Sequence, residues 1–240
     1  MISPLKQIVL IIGLVTRFVV AAQGAEPHFI DPPPLDPIAL LPPPPAAGSA
    51  EAIADLADVL KAQTTRTDTE VARGKAENHL SPAAFQSVLG PEFTAQKLPR
   101  VFALLEDAAD ESKPFTSKAK KEFARPRPKF ADARVQPVVD GDDGPAYPSG
   151  HATRAMLWAR ILAEIAPDKK HELLDRGEEI GWDRVLIGVH YPSDVFAGEV
   201  LGQNLAQSML KNADFQARLI RAKEEFQQAA AASPVTASAQ

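Results

Sequence analysis

Two histidines and a carboxylate stand where helix starts are expected, and their spacing suggests chemistry on an anion. His151 follows Ser149 and Gly150, and Asp194 lies four residues after His190. Serine is a preferred N-cap residue, and the free backbone amides at a helix start favour a bound anion. Asp194 can accept a hydrogen bond from one ring nitrogen of His190, which leaves the other nitrogen as an electron-pair donor. The pattern predicts an anion site that contains a nucleophile.

Cationic residues close to these histidines in the sequence could hold the anion. Arg184 lies six residues before His190, and a basic cluster extends from Lys118 to Arg127. The planar guanidinium group of arginine matches the oxygens of a phosphate. Taken singly, each of these cations could be an ordinary solvated surface charge. His151 could be a surface residue beside an ordinary helix cap, and His190 could be a buried histidine that is paired with a carboxylate. Only the combination predicts a phosphate site.

The bulk composition limits the classes of protein that the chain can represent. Its 240 residues are 45% hydrophobic, which is enough for one sizeable core. The net charge of −5 gives no indication of a nucleic-acid partner, so a phosphate site must be a local basic pocket in an acidic protein. The chain has no cysteine, which excludes disulfides, thiolate metal sites and cysteine nucleophiles.

The first 50 residues divide into a leader and a proline-rich segment. Residues 1–24 have the pattern of a secretory signal peptide, with Lys6 before an apolar run and small residues ahead of a cleavage point after Gly24. A short membrane anchor is the alternative, but Arg17 interrupts the run and a span needs about 20 apolar residues. Residues 25–50 are rich in proline, which indicates a spacer or a strap over the domain rather than core. We therefore expect a periplasmic or secreted protein.

From Glu51 onward the apolar residues repeat at helical spacing, and we predict one all-α domain over residues 51–228, a single helical bundle. Residues 229–240 form a low-complexity tail. The predicted helices run from Glu51, from Ser81 to Leu89, from Leu98 to Glu111, from Thr116 to Ala124 after a break at 112–115, from Gly150 to Ile165, from Asp168 to Trp182, from Ser193 to Lys211, and from Asp214. The acidic turn from Asp140 to Gly144 lacks the full spacing of an EF-hand, so a calcium site there is not favoured.

Three motifs occur together in a fixed order, and together they are specific. They are a lysine followed after six residues by Arg-Pro, the sequence Pro-Ser-Gly-His ending at His151, and Arg184–x5–His190–x3–Asp194. This set resembles the type 2 phosphatidic acid phosphatase superfamily, which includes the bacterial class A nonspecific acid phosphatases and the vanadium haloperoxidases. The resemblance covers about residues 90–209, and the text around Pro-Ser-Gly-His is most similar to the soluble acid phosphatases.

The resemblance implies a role for each matching residue. His190 corresponds to the nucleophile, Asp194 to the carboxylate that orients it, and His151 to the general acid. The phosphate-binding residues implied are Lys120, Arg127, Ser149, Gly150 and Arg184. The lysine motif can be placed in two ways, as Lys120 with Arg127 or as Lys118 with Arg125. We prefer Lys120 with Arg127, because Phe123 then lies where the family has an aromatic residue. Asp183 stands where the family often has serine, and its carboxylate either offsets the charge of Arg184 or points away from it.

The resemblance implies an exported, metal-independent acid phosphatase that hydrolyses phosphomonoesters through a phosphohistidine, with no cofactor. The alternatives are a vanadate-dependent haloperoxidase, a lipid-phosphate phosphatase, a zinc hydrolase using both histidines and Asp194, and a non-catalytic phosphate-binding envelope protein. The expected partner is a small-molecule phosphomonoester, with no nucleic acid and no membrane span once the signal is removed. Assembly into a homo-oligomer is left open. A pH optimum on the acidic side follows if one histidine must be protonated while the other is not.

Overall fold

Ten α-helices form the part of the chain that the structure describes. This computed structural model describes residues 29–31, 34–140 and 143–232. No β-strand occurs among them, so the predicted all-α class is confirmed. The helices are α1 (Pro37–Leu40), α2 (Ala50–Thr65), α3 (Asp68–Ala76), α4 (Gln86–Leu89), α5 (Pro99–Phe123), α6 (Pro128–Ala131), α7 (Gly150–Ile165), α8 (Lys170–Leu186), α9 (Pro192–Met209) and α10 (Ala213–Ala232), with 3₁₀ turns at Glu77–His79, Pro82–Phe85 and Pro167–Lys169.

Several sequence predictions fall on residues outside this description. The predicted signal peptide, residues 1–24, is one of them, and most of the predicted tail, residues 233–240, is another. The first residues of that tail, 229–232, belong to α10. Within the described ranges, no helix combines the length and the apolar character that crossing a bilayer requires.

Helix α7 packs against α5, α8 and α9, and most of its side chains are buried. Two glycines of α9 allow a close approach to α7. A Cβ atom at Gly198 would lie 2.5 Å from the carbonyl oxygen of Ser149, and one at Gly202 would lie 2.3 Å from that of Thr153. Real Cβ atoms do not approach a carbonyl so closely, so only glycine permits this packing. The N-terminal halves of the two helices therefore lie side by side.

Helix α5 contradicts the sequence prediction of two helices separated by a break. It runs without interruption from Pro99 to Phe123 and contains Pro114. Proline removes the backbone donor to the carbonyl oxygen of Asp110, and on either side of it the hydroxyl groups of Ser112 and Thr116 donate to the carbonyl oxygens of Ala109 and Ser112 at 2.6 and 3.3 Å. The buried face also continues past the proline, through Thr116 to Ala119. Burial of this face outweighs the local preference for a break.

Two other predicted helices begin with a 3₁₀ turn instead of an α-helical turn. Ser81 makes no capping hydrogen bond with its side chain, and Pro82 begins a 3₁₀ turn that leads into α4. The helix predicted from Asp168 begins instead with the 3₁₀ turn Pro167–Lys169 and extends four residues beyond Trp182, to Leu186. Such turns are common at helix starts. Arg184 consequently lies in the last turn of α8.

The described part of the proline-rich segment packs on the helices. Phe29 is buried, with its ring edge-on to that of Phe215 at 5.0 Å between centroids, and its amide donates to the Glu111 carboxylate. Farther along, the Tyr147 hydroxyl donates to the carbonyl oxygen of Pro42 at 2.6 Å. The segment therefore contributes to the core and supports the loop that leads into α7.

Candidate active site

His190 lies in the short connection between α8 and α9. After α8 ends, Gly188 reverses the chain with a φ of +79°, where an L side chain would be strained. The amides of Val189 and His190 then donate to the carbonyl oxygen of Arg184 at 3.0 and 3.2 Å. This turn satisfies the end of α8 and fixes the His190 side chain, which is 1% exposed, inside the protein.

The carboxylate of Asp194 accepts three hydrogen bonds and holds one side of the His190 ring. Its Oδ2 lies 3.2 Å from Nδ1 of His190 and accepts from the Tyr191 amide at 2.9 Å. Its Oδ1 accepts from Nη1 of Arg125 at 2.6 Å. Burial raises the pKa of Asp194, while the adjacent Arg125 charge opposes that rise. The predicted pairing of His190 with Asp194 is present, and Arg125 and a backbone amide hold the carboxylate in place.

The other ring nitrogen of His190 faces a cation. Its Nε2 lies 3.0 Å from Nη1 of Arg127. Because a guanidinium group only donates, Nε2 must accept, so the proton of the neutral ring resides on Nδ1 and points to Asp194. Burial, followed by the charge of Arg127 and then that of Lys120, holds the pKa of His190 well below its ordinary value. The ring is therefore neutral at mildly acidic pH, with its electron pair on Nε2.

The charges of four cationic side chains lower the pKa of His190: those of Arg127, Lys120, Arg184 and Arg125. Nε of Arg127 donates to the carbonyl oxygen of Gly144 at 3.0 Å, and its Nη1 also donates to that of Val189 at 2.9 Å. Lys120 donates to the carbonyl oxygen of Pro145. Arg184, from the last turn of α8, is 1% exposed. Backbone carbonyls thus hold the side chains of Arg127 and Lys120 in place, with Arg127 against Nε2.

The two possible placements of the lysine motif, Lys118 with Arg125 and Lys120 with Arg127, have different surroundings. Lys118 forms an ion pair with Asp36 at 2.9 Å, and its side chain is 59% exposed. Arg125 bridges Asp194 and Asp55, with its guanidinium stacked 3.9 Å above the Tyr191 ring. Neither group lies against Nε2 of His190. The geometry therefore favours Lys120 and Arg127 as the anion-binding pair and gives Arg125 a supporting position behind Asp194.

The second half of the site is the start of α7. Ser149 is the N-cap, and its hydroxyl oxygen accepts from the Ala152 amide at 3.3 Å. The Ser149 amide donates to the backbone carbonyl of Asp194 at 2.9 Å, which joins this helix start to that of α9. His151 follows in the first turn and keeps part of its surface exposed. The two predicted helix starts therefore meet, and the charge of Arg184 acts on both histidines.

The pKa of His151 is lowered by the same kinds of cause as that of His190. Burial contributes most, and the charges of Arg184 and Arg154 add to it, so the pKa of His151 lies well below its ordinary value. Its Nε2 lies 3.3 Å from the carbonyl oxygen of Asn78, and the amide oxygen of Asn78 accepts from Arg184 at 3.2 Å. A bound anion would offset the two arginine charges and favour the protonated ring.

Asp183 points away from the site. Its carboxylate is fully buried and accepts two hydrogen bonds from Arg73, at 2.6 and 2.7 Å. Nearby, Glu77 pairs with Arg176, and burial raises the pKa of Glu77 to about 7. The pair of Arg73 with Asp183 attaches α3 to α8, and the pair of Glu77 with Arg176 attaches to α8 the 3₁₀ turn that contains Asn78. The Asp183 carboxylate therefore points away from Arg184 and does not offset its charge.

A model of the PAP2 superfamily matches residues 111–215. Over 210 residues the chain is 33% identical to a non-specific acid phosphatase of Providencia stuartii, a match that covers 80% of this chain and 81% of that protein. The chain belongs to the PAP2 superfamily. An acid phosphatase of Zymomonas mobilis is 29% identical over 204 residues, which are 81% of this chain and 76% of that one. These relatives place this PAP2 protein among the acid phosphatases.

Two solved structures share the fold of this PAP2 protein. One is a transmembrane PAP2-type phosphatidylglycerolphosphate phosphatase from Bacillus subtilis, with a TM-score of 0.52 and 22% identity over 69% of this chain and 87% of that one. The other is a bacterial vanadium-dependent iodoperoxidase, with a TM-score of 0.57 and 16% identity over 72% of this chain and 52% of that one. At these identities the likeness concerns the fold. The resemblance inferred from the three motifs is confirmed.

Sequence reasoning missed residues that lack any local pattern. Asp55 accepts from Arg125 at 2.8 Å and from the Ser193 amide at 3.1 Å, although it lies on α2, far away in the sequence. Asn78 contacts both His151 and Arg184 from a 3₁₀ turn. Neither position has a motif around it, and only the packing of α2 and the 3₁₀ turn brings them to the site.

Proposed function

We propose that this acid phosphatase hydrolyses phosphomonoesters through a phosphohistidine on His190 and does so without a metal ion. The observation that carries the proposal is the pair of contacts on the His190 ring. Asp194 lies against Nδ1 at 3.2 Å, and Arg127 lies against Nε2 at 3.0 Å. These contacts favour a neutral imidazole whose electron pair is directed at the cationic group, which is the arrangement that an attack on phosphorus requires.

In the first step, Nε2 of His190 attacks phosphorus and forms a P–N bond while the bond from phosphorus to the ester oxygen breaks. His151 donates a proton to that oxygen, and the alcohol leaves. In the second step, a water molecule gives a proton to His151 and its oxygen attacks phosphorus. The P–N bond breaks, inorganic phosphate leaves, and the electron pair returns to His190. His151 acts as the acid and then as the base.

Cationic side chains take the part that metal ions have in many phosphoryl-transfer enzymes. Arg127, Lys120 and Arg184 neutralise the phosphoryl oxygens, Ser149 offers its hydroxyl group, and Gly150 offers a backbone amide in the first turn of α7. Among the described residues, no group of three or more histidine, aspartate and glutamate side chains is arranged to hold a metal ion. The proposal therefore assigns charge neutralisation to the protein itself.

The proton on His151 comes with the substrate. In this structure the pKa of His151 lies well below its ordinary value, because of burial and then the charges of Arg184 and Arg154. A phosphate monoester loses its second proton near pH 6, so at mildly acidic pH it arrives with a proton and a negative charge. That charge offsets the arginines and raises the pKa of His151. We therefore expect higher activity below neutral pH.

We also propose that the protein is exported after cleavage behind Gly24. The signal-like pattern of residues 1–24 supports this location. The N-terminal sequence of the protein recovered from the periplasm or the medium tests it. A mature chain that begins at Ala25 agrees with the proposal, and an intact Met1 in the cytoplasm contradicts it.

The mechanism is tested with 4-nitrophenyl phosphate at about pH 5.5 in the presence of a chelator. His190→Ala should abolish turnover, whereas His171→Ala, which removes an exposed histidine of α8, should not. A rapid quench with ³²P-labelled substrate should trap an alkali-stable, acid-labile phosphoenzyme in the wild type but not in His190→Ala. Activity that requires added zinc, or label that persists in His190→Ala, would overturn the mechanism.

A further inference from the structure

Arg154 follows His151 by three residues on α7, so the two side chains lie on the same face of the helix. The charge of Arg154 acts on the His151 ring, where it is one of the causes of the lowered pKa. The arginine side chain is only partly exposed, and burial lowers the pKa of its guanidinium group. Arg154 is therefore a partly desolvated cation next to the proposed general acid.

This guanidinium group has no carboxylate partner, a feature that it shares with the half-buried Arg160 of the same helix, but of the two only Arg154 is among the charges that lower the pKa of His151. Among the described residues, none forms a hydrogen bond or an ion pair with Arg154. The opposing charge that acts on it is that of Asp110, which is exposed and pairs with Lys113 at 2.6 Å. In contrast, carboxylates lie within 2.8 Å of the half-buried Arg73 and Arg218 and of the buried Arg125.

A partly buried and uncompensated charge is costly unless an anion offsets it. The proposed reaction already places one anion, the phosphoryl group, among Arg127, Lys120 and Arg184. Arg154 stands one helical turn from His151, which is about 5 Å along the axis. A second negative group on the same substrate molecule could reach it if a few bonds separate that group from the ester oxygen.

We propose that Arg154 binds a second anionic group of the substrate, so that the enzyme favours phosphomonoesters that also carry a carboxylate or a second phosphate. This inference rests on the proposed phosphatase function. The guanidinium forms charge-assisted hydrogen bonds with the second anion, and it remains outside the group that holds the transferred phosphoryl. Arg154 thereby selects among leaving groups rather than taking part in the bond changes.

Two substrates that differ in one group provide the test. 2-Phosphoglycerate and glycerol 2-phosphate share the secondary phosphate ester, but the first has a carboxylate where the second has a hydroxymethyl group. We would measure kcat/KM for both in the wild type and in Arg154→Gln. Arg154→Lys retains the charge without the planar fork. Arg160→Gln removes a positive charge from the same helix at a position beside Glu164 and Gln207, away from the site.

The wild type should prefer 2-phosphoglycerate, and Arg154→Gln should lower the ratio of the two kcat/KM values about tenfold, the size expected for one charged hydrogen bond. Arg154→Lys should keep part of the preference, and Arg160→Gln should keep all of it. An unchanged ratio in Arg154→Gln, with glycerol 2-phosphate still hydrolysed, would overturn this inference and leave the proposed function standing. An equal fall for both substrates would also overturn it, since Arg154 would then act on the shared phosphoryl step. A wild type that hydrolyses neither substrate would overturn both proposals.

Discussion

Replacing Asp194 by asparagine would preserve the size of the side chain and remove the acceptor on which the orientation of His190 depends. Oδ2 of Asp194 faces two donors, Nδ1 of His190 and the Tyr191 amide, and Oδ1 faces Nη1 of Arg125. Asparagine has one carbonyl and one NH₂ group, so one of these positions must present a donor to a donor. The substitution therefore tests whether the proton of His190 resides on Nδ1.

The size of the effect follows from the two ways in which the amide can lie. If its NH₂ faces His190, Nδ1 must accept, the ring proton moves to Nε2, and the attacking electron pair is lost. If its NH₂ faces Arg125, the guanidinium loses its acceptor and meets a donor instead. An imidazole in the wrong tautomer costs about 10³- to 10⁴-fold in kcat. The buried unsatisfied donor costs about 1–3 kcal/mol in the free energy of unfolding.

The assay compares Asp194→Asn with Asp55→Asn. Asp55 also accepts from Arg125, at 2.8 Å, but it does not touch His190. Both variants should lose stability in urea unfolding, whereas kcat for 4-nitrophenyl phosphate should fall steeply only in Asp194→Asn. If Asp194→Asn keeps kcat within tenfold of the wild type without losing stability, or if Asp55→Asn loses as much kcat, the argument from the tautomer is wrong.

Two more predictions concern stability. The pKa of His190 is lowered by burial and then by nearby charges, so below about pH 6.5 the unfolded chain binds a proton that the folded protein does not. When the pH is lowered from 7.5 to 5, the free energy of unfolding should therefore fall by about 1–2 kcal/mol more in the wild type than in His190→Gln. An equal fall in the two proteins would refute this. Gly198→Ala would place a Cβ 2.5 Å from the carbonyl oxygen of Ser149, so we expect a loss of about 1–3 kcal/mol in urea unfolding. Gly144→Ala, with open space around its Cβ, should change little, and equal stabilities for the two variants would contradict the close packing of α9 on α7.

Local signals in the sequence predicted the features that local chemistry determines. The predicted span of α7, from Gly150 to Ile165, agrees with the structure because the serine cap and the apolar run both act within the helix itself. The motif spacing also correctly predicted that His190 and Asp194 lie within hydrogen-bonding distance. His190 lies in the turn before α9, and Asp194, four residues later, lies in the first turn of α9. The break predicted in α5 was wrong because the signal was a local proline, whereas burial along the whole helix decided the outcome.

Contacts between distant segments had no signal in a single sequence. Asp183 could point towards Arg184 or away from it, and the choice depends on Arg73, which α3 brings to α8. The position of Asn78 likewise depends on the pairing of Glu77 with Arg176. Such pairs are set by tertiary packing, so the sequence supplied the chemical groups but not their partners.

The early residues of the described chain have consequences for the order in which the protein can fold. Asn212 donates to Asp31 at 2.8 Å across a sequence separation of 181 residues, and Phe29 packs against Phe215 near the start of the last helix. The residues around Phe29 leave the ribosome long before α10 exists, so they must remain without these partners throughout most of synthesis. Contacts at such separation also slow folding, because a long loop must close before they form. The native core can therefore be completed only once the start of α10 has been synthesised, and a chain that lacks it exposes the apolar surface that Phe215 would cover.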